Sequence, residues 1–427
     1  MSKISRYVGA RPFETEHKDI FRGRKGDVKA LLQLLQLEQI VSLYGVSGTG
    51  KSSLINAGLI PLLEQQTHLD PVRIRFTAYK KGVTTLSPTH ITGRLIRGGD
   101  EQVNTFLDKL LPDEDTLWHH CKEHFIRHKG DRDLLLIFDQ FEELFTYPES
   151  MIYQFQQQLA EALYRSAPQR YWDKLEQLYE QEKKPLDSKQ LSQLQSKSHV
   201  KVLFSLRSDR LHLLNRLTQY LPTIQKYYHE LDAISPSSAR EAILGPAVLP
   251  QGEHFRTAPF VYTKGALDHI VDFLTQSQAG TPDGKEEVPT IQKIEATQLQ
   301  IICSSIEERV ARQQIREVGV EDLGDLQAII ANYYEERINA LDEEEQLPAK
   351  RLIEEGLIFD EGEGKGIRLS LYEGQITQIY YVQAETLAKL VNSHLLRAEP
   401  SLAGGYTYEL SHDTLVRPVL EAKAHRL

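Results

Sequence analysis

Cysteine is nearly missing. The chain has two in 427 residues, Cys121 and Cys303, far apart and without CxxC spacing. That excludes a disulfide scaffold and fits a reducing compartment. Long apolar runs are absent too: nothing approaches the roughly 20 residues that span a bilayer. The N-terminal MSKISRYVGARPFETEHKD lacks the apolar core of a secretory signal. There is no basic excess, since 60 acidic side chains face 50 basic ones for a net charge of −10. Coating nucleic acid by bulk charge is thereby disfavoured, and only a local basic patch remains open. Glycine and proline number 26 and 18, too few for a collagen-like or disordered chain. Internal repeats are not seen. What is present, 40% hydrophobic and 26% charged residues, describes a soluble, cytoplasmic chain with length for about three domains and no membrane contact.

Up to about residue 230, strand-like and helix-like segments alternate. Gln39–Tyr44, Val72–Thr77, Leu134–Phe138 and Val202–Leu206 read as strands, and Ser52–Glu64 as a helix. The apolar run LLLIF suits a strand buried on both faces of a parallel sheet, so the expected fold is a three-layer α/β domain. Tyr171–His199, rich in Gln, Glu, Lys and Leu and broken at Pro185, reads as a surface insertion, a helical hairpin. From 235 to 330 strand signals give way to amphipathic helices around a polar loop, Gln278–Glu287. The last hundred residues combine helices (Gln327–Leu341, Ala384–Ser393) with a hairpin, Leu395–Ala398 and Tyr406–Leu410 about a turn at Gly404–Gly405. Helix, helix and two-stranded wing outline a winged helix. The expected division is residues 1–230, 231–330 and 331–427.

The clearest motif is Gly45-Val46-Ser47-Gly48-Thr49-Gly50-Lys51-Ser52, a GxxxxGK[ST] loop between a strand and a helix. Its glycines let backbone N–H groups converge on phosphate oxygens, and the helix N-terminus adds partial positive charge. Lys51 is placed to reach the β and γ phosphates, and the Ser52 hydroxyl suits Mg²⁺. Downstream, LLLIFDQFEELF ends an apolar strand in Asp139, a carboxylate for the Mg²⁺ water shell. Glu142 and Glu143 follow as candidates to orient or deprotonate the attacking water, with Glu143 slightly favoured. Arg207, just past the strand VLFSL, could sense the γ-phosphate or simply pair with Asp209. His120, His124 and His128 share one helical face beside Cys121, but with no second cluster in sequence the reading is a polar helix face rather than a metal site.

Phe21-Arg22-Gly23-Arg24, GVSGTGKSS (which adds Ser53), LLLIFDQFEELF, VLFSLRSD and YELSHDTL together resemble the STAND class of signalling P-loop NTPases, in the prokaryotic branch called novel STAND. The resemblance covers essentially the whole chain. It implies a P-loop domain, a helical bundle and a winged helix closing around ADP at rest. It further implies that Phe21, Gly23 and Arg24 line the adenine pocket and that His412 of the His412-Asp413 pair touches the β-phosphate. Ala296 stands in Ile294–Gln300 where relatives often place an adenine-contacting proline, with Pro246 and Pro289 as nearby substitutes. No NKxD motif selects guanine. The expected cofactors are ATP or ADP with Mg²⁺, and the expected role is a slowly hydrolysing switch in bacterial stress or anti-phage signalling, self-associating on activation. An N-terminal effector has no room before the loop, and a C-terminal sensor none after YELSHDTL, so partners or missing modules would supply them. The alternative is an AAA+-like ATPase engaging nucleic acid through its winged helix. Against it, AETLAKLVNS at 384–393 carries one lysine and one glutamate.

Overall fold

Five parallel strands organise the first half of the chain in a computed structural model that describes residues 4–46, 48–66, 68–77, 79, 84–98, 105–128, 132–181, 185–250, 255–276, 293–362, 365–400, 406–411 and 415–426. They are β1 (Ile40–Gly45), β2 (Leu69–Ile74), β3 (Asp133–Phe138), β4 (Val200–Arg207) and β5 (Tyr228–Glu230), in the order β2-β3-β4-β1-β5. Side chains alternate across the sheet. Leu134, Leu136 and Phe138 enter one core with Val202 and Phe204, while Leu135 and Ile137 enter the opposite core with Val41 and Leu43. The helices Glu149–Tyr164 and Leu117–Arg127 cover the first face, and Lys25–Leu37 covers the second. Burial on both faces explains the unbroken apolar composition of β3. This is the three-layer α/β architecture expected from the sequence.

Register brings the strand ends into line. Gly45 lies opposite Arg207, and Phe138 lies between Ile74 and Phe204. The loops after β1, β3 and β4 therefore emerge together at the carboxyl edge of the sheet, where open α/β folds bind ligands.

Two expectations need correction here. β2 starts three residues before the expected Val72, because Pro71 lies inside it. Proline lacks an N–H, but β2 is the sheet's edge strand, where that loss is tolerated. The segment read as a surface insertion forms the helices Gln169–Glu180 and Ser188–Gln195, yet Tyr171, Leu175 and Leu194 are buried in the main core.

Beyond the sheet, the helices Pro236–Ala247, Lys264–Gln276 and Ala296–Gln313 share a second core around Ile243, Ile270 and Ile302. A short parallel pair not foreseen from the sequence, β6 (Val261–Tyr262) with β7 (Glu317–Val318), closes it. Gln278–Glu287 and Pro289 lie outside the described residues. A third core around Tyr334, Leu387 and Leu410 joins the helices Leu326–Asn339 and Ala384–Asn392 to β11 (Leu396–Pro400) and β12 (Tyr406–Leu410). Those strands match the expected hairpin, whose Gly404–Gly405 turn is outside the described residues. A second hairpin, β8 (Ile358–Gly362) with β9 (Lys365–Arg368), and the strand β10 (Leu371–Tyr372) beside β12 were not foreseen.

The N-terminal segment ties the first two units together. The Arg6 guanidinium, fully buried, donates to the carbonyls of Pro246, Leu249 and Thr257, and the Arg6 and Tyr7 N–H groups donate to the Glu307 carboxylate. Seven residues later, the Phe13 N–H donates to Ser53 Oγ at 3.1 Å.

The main core has a test. Phe138 is wholly buried, with its ring 5.5–5.7 Å from those of Phe76, Phe141, Phe155 and Phe204. Phe138→Ala should cost about 3–5 kcal/mol. The urea midpoint should fall with an unchanged slope.

Candidate nucleotide site

The loop after β1 is shaped by glycine where the backbone demands it. Gly48 and Gly50 have φ of 84° and 92°, a region costly for other residues. A Cβ on Gly45 would meet the Leu231 carbonyl oxygen at 2.5 Å. Gly50 then caps the helix that starts as Lys51–Ser53 and continues through Leu54–Leu59. Arg24, buried, braces the loop from behind by donating to the Thr49 carbonyl at 2.9 Å while pairing with Asp27 at 3.2 Å.

Above the loop lies a cavity of about 500 Å³. Gly48, Gly50, Lys51, Ser52 and Ser53 line it, together with Asp139, Glu142, Glu143 and Arg207. The motifs after β1, β3 and β4, distant in sequence, thus meet in one place. Phe21, Gly23 and Arg24 are not in its wall. Phe21 instead stacks edge-on against Phe13, 5.2 Å away, and Phe13 does line the cavity. Gly23 packs against the Ser238 carbonyl, where a Cβ would meet the oxygen at 2.4 Å. Ser47 and His412 fall outside the described residues, although Ser411 lines the cavity.

Asp139 is 1% exposed, a costly place for a carboxylate unless it is paired. Ser52 Oγ donates to its Oδ1 at 3.1 Å and Arg73 to its Oδ2 at 2.8 Å. The Ser52 hydroxyl and the Asp139 carboxylate are hard oxygen donors of the kind Mg²⁺ takes, so an ion on the hydroxyl would have the carboxylate beside its water shell. Glu143 is nearly buried, and Arg75 approaches it at 3.8 Å. Arg207 forks onto Asp209 at 2.9 and 3.0 Å and lies 3.9 Å from Glu409.

Several lining residues escaped the sequence reading. Arg73 and Arg75 sit two apart in VRIRFT, on and just after β2, and that spacing was a usable signal for one face. Ala296, Thr297 and Gln300 come from the helix Ala296–Gln313, so the segment that resembled the adenine region does reach the cavity. Asn392, His394 and Arg397 come from the C-terminal unit and carried no local signal. The expected polar histidine face is also corrected. His119, His120 and His124 are 2–4% exposed, because the helix Pro88–Arg97 packs against theirs with Gly93 on the His120 ring, while Asp108 and Tyr171 meet His119 and Asp70 meets His124.

A family model described as Novel STAND NTPase 1 matches residues 7–418. No curated protein matches the chain by sequence. Among solved structures, the Aeropyrum pernix ORC1 protein in complex with DNA is 13% identical over 96% of both chains, with a TM-score of 0.46. A Walker-type ATPase of Pyrococcus abyssi is 12% identical over 96% of this chain and 98% of that one, at 0.42. RuvB of Thermotoga maritima is 13% identical over 98% of each, at 0.37. Likeness at that level carries nothing about activity.

Lys51 gives the site a pH signature. Burial holds its ammonium down to about 8, against an upward pull from Glu142. Its Nζ donates to the Gly45 and Val46 carbonyls at 2.8 and 3.1 Å. Phosphate binding favours the charged form, so a complex formed above pH 8 must take up the proton that the lysine has lost. Titration calorimetry in buffers of different ionisation enthalpy should find uptake of about half a proton at pH 8 and most of one at pH 9. Lys51→Ala should lose both the uptake and measurable affinity; unchanged affinity would contradict the assignment.

Proposed function

The chain belongs to the novel STAND NTPase 1 family, which makes it an ATP-binding P-loop NTPase, and from that premise we propose that it is a slowly hydrolysing signalling switch. The observation that supports this reading most is the composition of the cavity wall. All three cores contribute to it: the loop after β1, the helix Ala296–Gln313, and the segment from Asn392 to Arg397. A ligand held there contacts every unit at once. Its binding energy therefore differs between closed and open arrangements, which is what a switch requires.

In this reading the glycine loop and Lys51 hold the phosphates of ATP or ADP, and Ser52 and Asp139 hold Mg²⁺. That ion, when bound, supplies neutralising charge to the β and γ phosphates. Glu143, or its neighbour Glu142, orients the attacking water and accepts its proton. Arg207 exchanges Asp209 for the γ-phosphate and registers its loss. Residues 1–230, 231–330 and 331–427 act as P-loop, helical and winged-helix domains, with ADP bound in the closed resting form. Bacterial stress or anti-phage signalling, and self-association on opening, are the roles that family membership suggests.

Nucleic acid is the less favoured partner. The lone lysine of the helix Ala384–Asn392, Lys389, is paired with Asp342 and Glu345 at 2.8 Å each, so this helix offers little net positive charge to a phosphate backbone.

Two experiments test the reading. Glu142→Gln and Glu143→Gln should both keep ATP affinity, and one of them should lower single-turnover hydrolysis at least 100-fold. Wild-type rates in both would remove the catalytic assignment. His412→Ala should speed ADP release roughly 30-fold, as expected for losing a charge-assisted hydrogen bond of about 2 kcal/mol to the β-phosphate. An unchanged off-rate and an unchanged scattering envelope would contradict a latch there.

A further inference from the structure

Away from the nucleotide cavity, on the flank of the sheet beside β3, the helix Leu117–Arg127 buries a second polar cluster. His119 and His120 are each 2% exposed, and Glu123 is 4% exposed. His119 Nε2 lies 3.4 Å from Asp108 Oδ1 and 3.6 Å from Glu123 Oε2. All three donor atoms fall within 4.8 Å of one another. A tetrahedral ion with bonds of about 2.0–2.1 Å spaces its ligands about 3.4 Å apart. The two measured edges are close to that spacing.

The remaining polar atoms of these residues are already engaged. His119 Nδ1 is 2.6 Å from the Tyr171 hydroxyl. Asp108 Oδ2 accepts from the Thr105 N–H at 2.7 Å, and Glu123 Oε1 accepts from the Thr105 hydroxyl at 3.3 Å. Outer contacts of this kind orient metal ligands and select the tautomer of a ligating histidine. An independent feature points the same way. His120 Nδ1 is buried without a hydrogen-bond partner and lies 3.8 Å from Glu123 Oε2. Its Nε2 meanwhile meets Asp115 Oδ1 at 2.8 Å. With Nε2 donating to Asp115, Nδ1 turns a lone pair toward the Glu123 carboxylate, and a cation between the two acceptors would satisfy both.

We propose that Asp108, His119 and Glu123 hold a divalent transition-metal ion, with zinc as the best fit and His120 as the neighbouring donor. Imidazole in the set disfavours Mg²⁺ and Ca²⁺, which take oxygen ligands. Asp108, a quarter exposed, gives the ion a way in. The bound ion would fasten the helix Phe106–Leu110 to Leu117–Arg127 and, through Tyr171, to Gln169–Glu180. A neighbouring group, Asp70 with His124 and His128, is the weaker candidate. Arg132 already approaches Asp70 at 3.9 Å, and His128 is 40% exposed.

The test is a zinc titration of chelator-stripped, nucleotide-free protein, in competition with a chromophoric chelator. One ion should bind per chain, and Co²⁺ in the same place should show the intense visible absorption of a tetrahedral centre. Asp108→Asn and Glu123→Gln should weaken binding at least 100-fold, whereas Asp70→Asn and Asp139→Asn should retain it. Tyr171→Phe, which keeps every donor, should weaken it about 10- to 100-fold. Failure of the wild-type protein to bind one ion overturns the proposal whatever the variants do. So does unchanged affinity in Glu123→Gln, or a loss confined to Asp70→Asn. The cluster would then be His119 held between two carboxylates by polar contacts alone.

Discussion

The carboxylate of Asp139 is removed from water at the end of β3, and that burial is affordable only while Ser52 and Arg73 donate to its two oxygens. Those partners come from the helix after β1 and from β2, and β1 and β2 lie on opposite sides of β3 in the sheet. Satisfying one buried group thus demands that the ends of β1, β2 and β3 finish level. The register does this, with Gly45 beside Arg207 and Phe138 between Ile74 and Phe204. The glycine loop, the two glutamates after Asp139 and the arginine after β4 are then gathered without further instruction.

What surrounds that edge is supplied by the other units. The strap from Arg6 to Phe13 is anchored at one end by buried hydrogen bonds to the helical unit, and at the other by Ser53 and Asn56 beside the loop. Residues 9–12 between those anchors, with Phe13 and Glu14 at the second, form part of the cavity wall. On the proposed switch reading, this short, polar and buried link is where a shift of the helical unit would reach the cavity, and the segment carrying His394 and Arg397 would act on it from the other side.

Much of the first unit was legible because its signals are local. An unbroken apolar run is what a strand covered on both faces needs, and β3 has it. Glycines at 48 and 50 are what a left-handed loop needs, and the positive φ values are there. β2 was misplaced because Pro71 reads as a breaker until the strand is known to be an edge. β5 was missed because three residues carry no periodicity. Arg6 looked like any charged residue near a terminus; its burial depends on Glu307 and on carbonyls some 240 positions away. His119 and Glu123 likewise look like an ordinary polar helix turn until Asp108 and Tyr171 fold over them. The C-terminal wall of the cavity was opaque for the same reason, since Asn392, His394 and Arg397 form no motif.

The central claim is that one nucleotide is held by all three units. Hydrogen–deuterium exchange with and without ADP tests it most directly. The account predicts slower exchange in three separated segments: the loop around 48–53, the start of the helix at 296–300, and residues 392–398. Protection confined to the loop and to the residues around Asp139 would contradict it, leaving a nucleotide that the other two units do not sense.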